Sequence, residues 1–164
     1  MKVAVVMGSE SDKEVVQKAV ALLEKYGVEV EWRIISAHRT PKLAHDFASS
    51  LRENGYEVCI ACAGKAAHLA GVIAGITTIP VIGLPIKSST MDGLDSLLSV
   101  VQMPSGVPVA TVAINGAENA AILALQILGI KYPEISDKLI EFKKEMNEKI
   151  IKIDNKLRTE RGQV

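Results

Sequence analysis

Apolar runs and short polar segments alternate along this chain with the rhythm of β-α units. Residues 2–7 form an apolar run that predicts a first strand. Ser11 and Glu14 stand at capping-box spacing, so a helix is expected to open with Ser11 as its N-cap and to run to about Tyr26, where Gly27 ends it. Val28, Val30, Trp32 and Ile34 alternate with charged residues, the pattern of a half-buried strand at a sheet edge. Thr40 and Pro41 read as an N-cap followed by a first-turn proline, opening a helix to about residue 54. Residues 58–63 carry no polar alternation, as expected for a central parallel strand covered on both faces. A small-residue helix over 66–76, a strand over 80–84, a polar loop over 87–93 and a short helix over 94–101 follow. A strand over 109–113 and an Ala/Leu helix over 117–128 complete the series. This repetition predicts an α/β fold: a three-layer αβα, flavodoxin-like, doubly wound parallel sheet of five strands.

The last helix differs in character. Pro133 marks its first turn, and Ile135, Leu139, Phe142, Met146, Ile150, Ile153 and Leu157 recur at steps of three and four, one continuous apolar stripe. Residues 133–160 would span about 42 Å at 1.5 Å per residue, whereas a domain of this length is only roughly 40 Å across. Its own domain cannot cover such a stripe. The expected division is an αβα catalytic body over 1–132 and a C-terminal helix over 133–164, a single domain overall, with the helix packed on a neighbouring subunit rather than frayed.

Composition narrows the class. The chain is 48% hydrophobic but only 4% aromatic, so the core must be built from Val, Ile, Leu and Ala. Nineteen basic and nineteen acidic residues cancel, which argues against nucleic acid or an anionic membrane as partner. No apolar run reaches membrane-spanning length and the chain runs straight into a strand, so a soluble, cytoplasmic protein is expected. Cys59 and Cys62 form a C-x-x-C inside a buried strand. Three strand residues span roughly 10 Å and put the two side chains on opposite faces, too far apart for a disulfide, and a structural zinc site would need two more ligands.

The chemistry lies between the elements. Gly8-Ser9-Glu10-Ser11-Asp12, Ser36-Ala37-His38-Arg39-Thr40, Ala63-Gly64-Lys65-Ala66-Ala67-His68, Pro85-Ile86-Lys87-Ser88-Ser89 and Asn115-Gly116 each follow an apolar run. In a parallel α/β sheet the carboxyl ends of the strands share one edge, where open sheets bind ligands. Hydroxyls, a carboxylate, an arginine and two histidines thus gather on one rim, which suits a small, polar, phosphorylated molecule. There is no G-x-G-x-x-G after the first strand and no P-loop motif, so neither a dinucleotide fold nor a P-loop ATPase is indicated, and there is no second pair of ligands for a metal.

The first segment reads either as a β-to-α turn with a helix cap or as an anion cradle of backbone N–H groups and the Ser9 and Ser11 hydroxyls. In the second reading Asp12 is suited to accept from ribose hydroxyls. Arg39 just before a helix N-terminus is electrostatically unfavourable, a cost that a bound anion gripped by arginine would offset. His38 beside it is the natural acid/base at neutral pH. His68 reads equally as a satisfied buried histidine or a catalytic one, Lys65 as a solvated loop charge or a rim cation. His45, beside Asp46 in mid-helix, reads as ordinary surface.

Together, Gly8-Ser9-x-Ser11-Asp12, Ser36-Ala37-His38-Arg39-Thr40-Pro41, Ala66-Ala67-His68-Leu69 and the block from Gly93-Leu94-Asp95-Ser96-Leu97 through Gln102-Met103-Pro104 to Val109 resemble one family. It is the N5-carboxyaminoimidazole ribonucleotide mutase family of de novo purine synthesis, also described as the catalytic subunit of phosphoribosylaminoimidazole carboxylase. The resemblance covers residues 2 to about 150. It implies an isomerase that moves a carboxylate from the exocyclic nitrogen of the substrate to ring carbon 4, without metal, ATP or organic cofactor. It implies His38 as general acid/base and Ser9, Ser11, Asp12, Ser36 and Arg39 as substrate-binding residues. Gly64, Lys65 and His68 would form the wall around the carboxylate. It further implies a homo-octamer whose active sites borrow residues from neighbours. A sister class carboxylates aminoimidazole ribonucleotide directly and typically has lysine after the histidine of the Ser-Ala-His motif; Arg39 and Gln102-Met103-Pro104 side with the mutases. Cys62, Lys65 and Ala70 stand where mutases usually have Gly, Gly and Pro. Direct carboxylation and a non-catalytic ribonucleotide-binding module remain the alternatives.

Overall fold

A computed structural model describes residues 1–89 and 91–162; Thr90, inside the predicted polar loop, and the last two positions of the predicted C-terminal segment lie outside the described residues. Among these residues the strands β1 (Lys2–Met7), β2 (Glu29–Ile34), β3 (Val58–Gly64), β4 (Val81–Ile86) and β5 (Ala110–Thr111) pair in parallel in the order β2-β1-β3-β4-β5. Helices α1 (Lys13–Lys25), α2 (Pro41–Ser50), α3 (Leu69–Ala74), α4 (Leu94–Val101), α5 (Ala117–Gly129) and α6 (Pro133–Glu160) make up the rest of the regular structure. The doubly wound five-stranded sheet read from the sequence is the observed one, with β2 at an edge as its alternation indicates.

Both faces of the sheet are covered by aliphatic side chains. Val3, Val5, Ile60 and Leu84 pack against α1 and α5 through Leu23, Ala121 and Leu125. On the other face Ala4, Val6, Cys59 and Ala61 meet α2 and α3 through Phe47, Ala48 and Ile73. Cys59 and Cys62 therefore sit in different layers, as strand alternation requires, and both are buried free thiols. Burial pushes Cys59 up to about 12 and Cys62 well above its ordinary value, with Cys59 and Asp12 adding to the effect on Cys62.

Several boundaries differ from the sequence expectation, each for a local reason. Ser11 is not the cap of the first helix. A 3-10 turn over Glu10–Asp12 precedes α1, and Ser9 caps that turn by accepting from the Ser11 N–H. Helix α3 begins only at Leu69, because the chain from 65 to 68 is held in tight turns, the Ala67 and His68 N–H groups bonding the carbonyls of Lys65 and Ala66. His68 thus occupies the N-cap position rather than the first turn. Helix α2 stops at Ser50, short of residue 54. The fifth strand shrinks to two residues. Its neighbour β4 carries Pro85, whose missing N–H faces β5, so the ladder lacks a donor there.

Helix α6 has the predicted span. Ile135 is fully buried and Leu139 packs on the α1/α5 layer. Further along, Met146, Ile150, Ile153 and Leu157 are about half exposed or more, up to 64% at Ile150. The stripe leaves its own domain partway along the helix.

Candidate functional site

The strand exits surround a cleft of about 670 Å³. Sequence logic put five polar segments on this rim, and four of them line the cleft: the turns after β1, β2, β3 and β4. The fifth contributes from behind. Asn115 accepts from the Lys87 N–H through Oδ1 at 2.8 Å and donates its own N–H to the Pro85 carbonyl at 2.9 Å, pinning the end of β4.

On the β1 side, Ser11 Oγ donates to Ser9 Oγ at 3.0 Å or to Asp12 Oδ1 at 3.2 Å. Asp12 is only 6% exposed. Burial raises its carboxyl above the ordinary 3.8; hydrogen bonds from the Ser11 side chain and the Ser9 backbone and the Arg39 charge pull the other way without cancelling it. A carboxylate held this way seeks further donors, and ligand hydroxyls would supply them.

On the β2 side, Arg39 ties two exits together. Its Nη2 donates to the Gly8 carbonyl at 2.8 Å and its Nε to Ser36 Oγ at 3.2 Å. Two of its donors thus brace the rim, and Arg39 lines the cleft. Thr40 precedes α2 but does not cap it with its side chain. Its hydroxyl donates to the Ser36 carbonyl at 2.8 Å and accepts from the Ser36 N–H at 3.1 Å, closing the 36–40 turn that presents His38.

His38 and His68, thirty residues apart in sequence, meet with Nε2 and Nδ1 at 3.1 Å and with ring planes at 78°. One ring must carry the shared proton, so each sets the tautomer of the other. His38 lines the cleft, whereas His68 touches it only through His38. His45 is exposed on α2 beside Asp46, away from the cleft.

The β3 and β4 exits supply Gly64, Lys65, Lys87 and Ser88. A Cβ on Gly64 would sit 3.2 Å from the Ile86 carbonyl, so a small residue lets the two exits stay close. Lys65 holds φ at 55°, a left-handed conformation that side-chain-bearing residues seldom adopt. Lys87 is paired with Asp92 at 3.0 Å, and the sequence reading gives it no role. The signal was present in its place directly after an apolar strand, the same place that singled out Ser36 and Lys65. Among the described residues, no cluster of His, Cys, Asp and Glu is arranged to hold a metal, and no helix is long and apolar enough to cross a membrane.

The likeness to known proteins agrees with this architecture. A model of the AIR carboxylase family matches residues 2–149. The N5-carboxyaminoimidazole ribonucleotide mutase of Pyrococcus horikoshii is 60% identical over 148 residues, covering 90% of this chain and 84% of that one. The mutase of Thermotoga maritima is 55% identical over 150 residues, covering 92% and 88%. The crystal structure of Treponema denticola PurE superposes with a TM-score of 0.88 at 30% identity, covering 96% of this chain and 98% of that one. A match running through every strand exit of the cleft, and on into α6, leaves one assignment: this chain belongs to the AIR carboxylase family.

Proposed function

We propose that the chain is an isomerase of purine biosynthesis that converts N5-carboxyaminoimidazole ribonucleotide to 4-carboxy-5-aminoimidazole ribonucleotide. The observation that carries this reading is His38, presented into the cleft between the Arg39 brace and the Lys65 turn, in a chain 60% identical to a mutase. Ser9, Ser11 and Ser36 with Arg39 supply hydroxyls and charge for the phosphate, and Asp12 accepts from the ribose. Gly64 and Lys65 line the side where the carboxylate moves, and His68 holds the His38 ring.

The proton balance fits one titrating group. Carbon 4 loses a proton as the new carbon–carboxyl bond is completed, and the exocyclic nitrogen regains one when its bond to the carboxyl breaks. His38 gives its proton to the nitrogen as the nitrogen–carboxyl bond breaks and recovers one from carbon 4 once the carboxyl is attached there, with His68 orienting the ring. Incubation with N5-carboxyaminoimidazole ribonucleotide should yield the carbon-carboxylated product without ATP. Formation of that product from aminoimidazole ribonucleotide and bicarbonate alone, at a comparable rate, would point instead to direct carboxylation, a reading that the Lys65 cation at the cleft favours. Binding of the ribonucleotide without turnover would leave a binding module.

The bare outer stripe of α6 supports a homo-oligomer, an octamer by the family resemblance, in which a second copy covers Ile150, Ile153 and Leu157. Removal of residues from 147 onward should lower the assembly in sedimentation while the αβα body stays folded. An unchanged assembly would mean that the stripe has no partner subunit.

A further inference from the structure

The ladder between β4 and β5 ends early, yet the exit of β4 is not loose. Strand pairing stops at Gly83 with Thr111. Val112 still donates to the Gly83 carbonyl at 3.1 Å, and then Asn115 takes over. Its N–H donates to the Pro85 carbonyl at 2.9 Å, and its side-chain Oδ1 accepts from the Lys87 N–H at 2.8 Å. In a parallel ladder a residue bonds in this way, through its N–H and its main-chain carbonyl, to the two residues that flank its partner. Asn115 therefore stands opposite Ile86 as a detached continuation of β5, with Oδ1 in place of the carbonyl. The replacement is needed because φ at Asn115 is 56°, and the main chain there turns away from the strand direction towards α5. Glycine adopts that conformation freely. Asparagine is among the few side-chain-bearing residues that tolerate it, and it brings an acceptor that glycine lacks.

Ser96 seats the same stretch from α4. Its hydroxyl is 0% exposed and reaches the Ile86 carbonyl at 2.9 Å and the Gly93 carbonyl at 2.7 Å. Pro85, Ile86 and Lys87 thus each have a backbone group engaged by residue 115 or 96. The stretch so held, Ile86 to Ser88, is one wall of the cleft, and His38 lines the same cleft from the β2 exit, across β1 and β3. Neither Asn115 nor Ser96 lines it. We infer that Asn115 is a positioning residue for the reaction: it holds the Ile86–Ser88 wall at the distance from His38 at which the bound nucleotide reacts, with Ser96 supporting the same stretch. This rests on the isomerase reading for the reaction to be measured. An exposed hydrogen bond adds little to the fold, so stability gives no reason for an amide at a left-handed position where glycine would serve.

Two variants of Asn115 separate its acceptor from its backbone conformation. Asn115→Gly keeps the left-handed φ and loses the acceptor, whereas Asn115→Asp keeps both. Turnover of N5-carboxyaminoimidazole ribonucleotide, melting, and hydrogen exchange over residues 86–88 are measured in wild type and in each variant. Asn115→Gly should lower kcat about tenfold or more, since a misplacement of ~1 Å costs on the order of 10²-fold. Its KM should stay within about twofold, because the β1 and β2 exits are untouched. Exchange over 86–88 should quicken. Asn115→Asp should keep slow exchange and a kcat within about threefold of wild type. Ser96→Ala should lower kcat and melting together. Combined with Asn115→Gly it should lose less than the product of the two single losses, since both residues hold one stretch. A residue that served only the fold would change melting and exchange and leave the kcat of the folded enzyme alone. That result in Asn115→Gly, a loss confined to KM, or an Asn115→Asp as slow as Asn115→Gly overturns the inference. The assays are repeated with aminoimidazole ribonucleotide and bicarbonate. The same kcat pattern in that reaction alone would overturn the isomerase reading and keep the inference, and a wild type inactive in both reactions would overturn both.

Discussion

The two ends of the cleft are built on different principles. The β1/β2 end is braced: Arg39 ties Gly8 to Ser36, Thr40 closes its own turn, and Ser9 caps the turn that carries Ser11 and Asp12. Its polar groups partner one another before any ligand arrives, and none of its non-glycine residues holds a left-handed φ. At the β3/β4 end, by contrast, left-handed residues carry side chains at 65, 91 and 92, and two lysines face one cleft with a single exposed carboxylate on one of them. A braced end is preorganised to hold a constant part of a ligand. A strained, charge-excess end is poised for a group that changes during the reaction, and the His38–His68 pair stands at the seam.

The largest expected effect lies at that seam. His38→Asn should keep ribonucleotide binding and lose about 10²–10⁴-fold in turnover, the usual span of a general acid/base. Single-turnover kinetics beside a binding titration separates the two quantities. Near-full activity in that variant would remove His38 from the chemistry and leave the two ends as one plain binding cleft.

Arg39→Ala tests whether the braced end reads the phosphate. Loss of a charge-assisted bond worth about 1.5–3 kcal/mol should weaken the phosphorylated ligand by roughly tenfold or more relative to its nucleoside. Melting should fall as well, because Gly8 and Ser36 lose their bridge. Equal losses for nucleotide and nucleoside, with lower melting, would reduce Arg39 to a structural brace.

Asp12 sharpens the comparison through pH. Its folded-state carboxyl is raised by burial above its ordinary value, so the folded chain holds that proton more tightly than the unfolded chain. The stability it contributes is complete below the unfolded value and declines as pH rises through the folded one. Asp12→Asn should therefore flatten this acid-side decline and melt higher than wild type at neutral pH, while binding the ribonucleotide less well. Urea midpoints of both proteins across the acid range measure it, and parallel curves would contradict it.

Much of the braced end was legible because its signals are local. Ser36 through Pro41 form one turn before one helix, and Arg39 beside a helix N-terminus is a conflict visible in the sequence itself. The polar-free run 58–63 and the charged alternation of 28–34 likewise placed the central and edge strands. What escaped depends on register and packing. Ser9 and not Ser11 caps its turn because a 3-10 turn intervenes before α1. β5 is short because Pro85 presents no donor to it from the neighbouring strand. The His38–His68 contact and the Lys65–Lys87 adjacency arise only when separate strand exits are brought together, and no spacing within one segment encodes them.

The smallest expected effect probes the strained end, and it should run in opposite directions in two measurements. Glycine adopts a left-handed φ without the steric penalty that a Cβ imposes, and Lys65 sits at φ 55°. Lys65→Gly should relieve about 1 kcal/mol of strain, partly offset by the greater freedom glycine gives the unfolded chain. In a chain of this size that is a rise in Tm of a few degrees at most. The same change removes one of the two ammonium groups facing the cleft, so the carboxylated nucleotide should bind more weakly while aminoimidazole ribonucleotide does not. Higher melting with unchanged affinity for both ligands would leave the strain without a ligand to explain it. Lower melting would show that Lys65 supports the fold through its side chain, and the contrast between a braced and a strained end would then describe only the backbone.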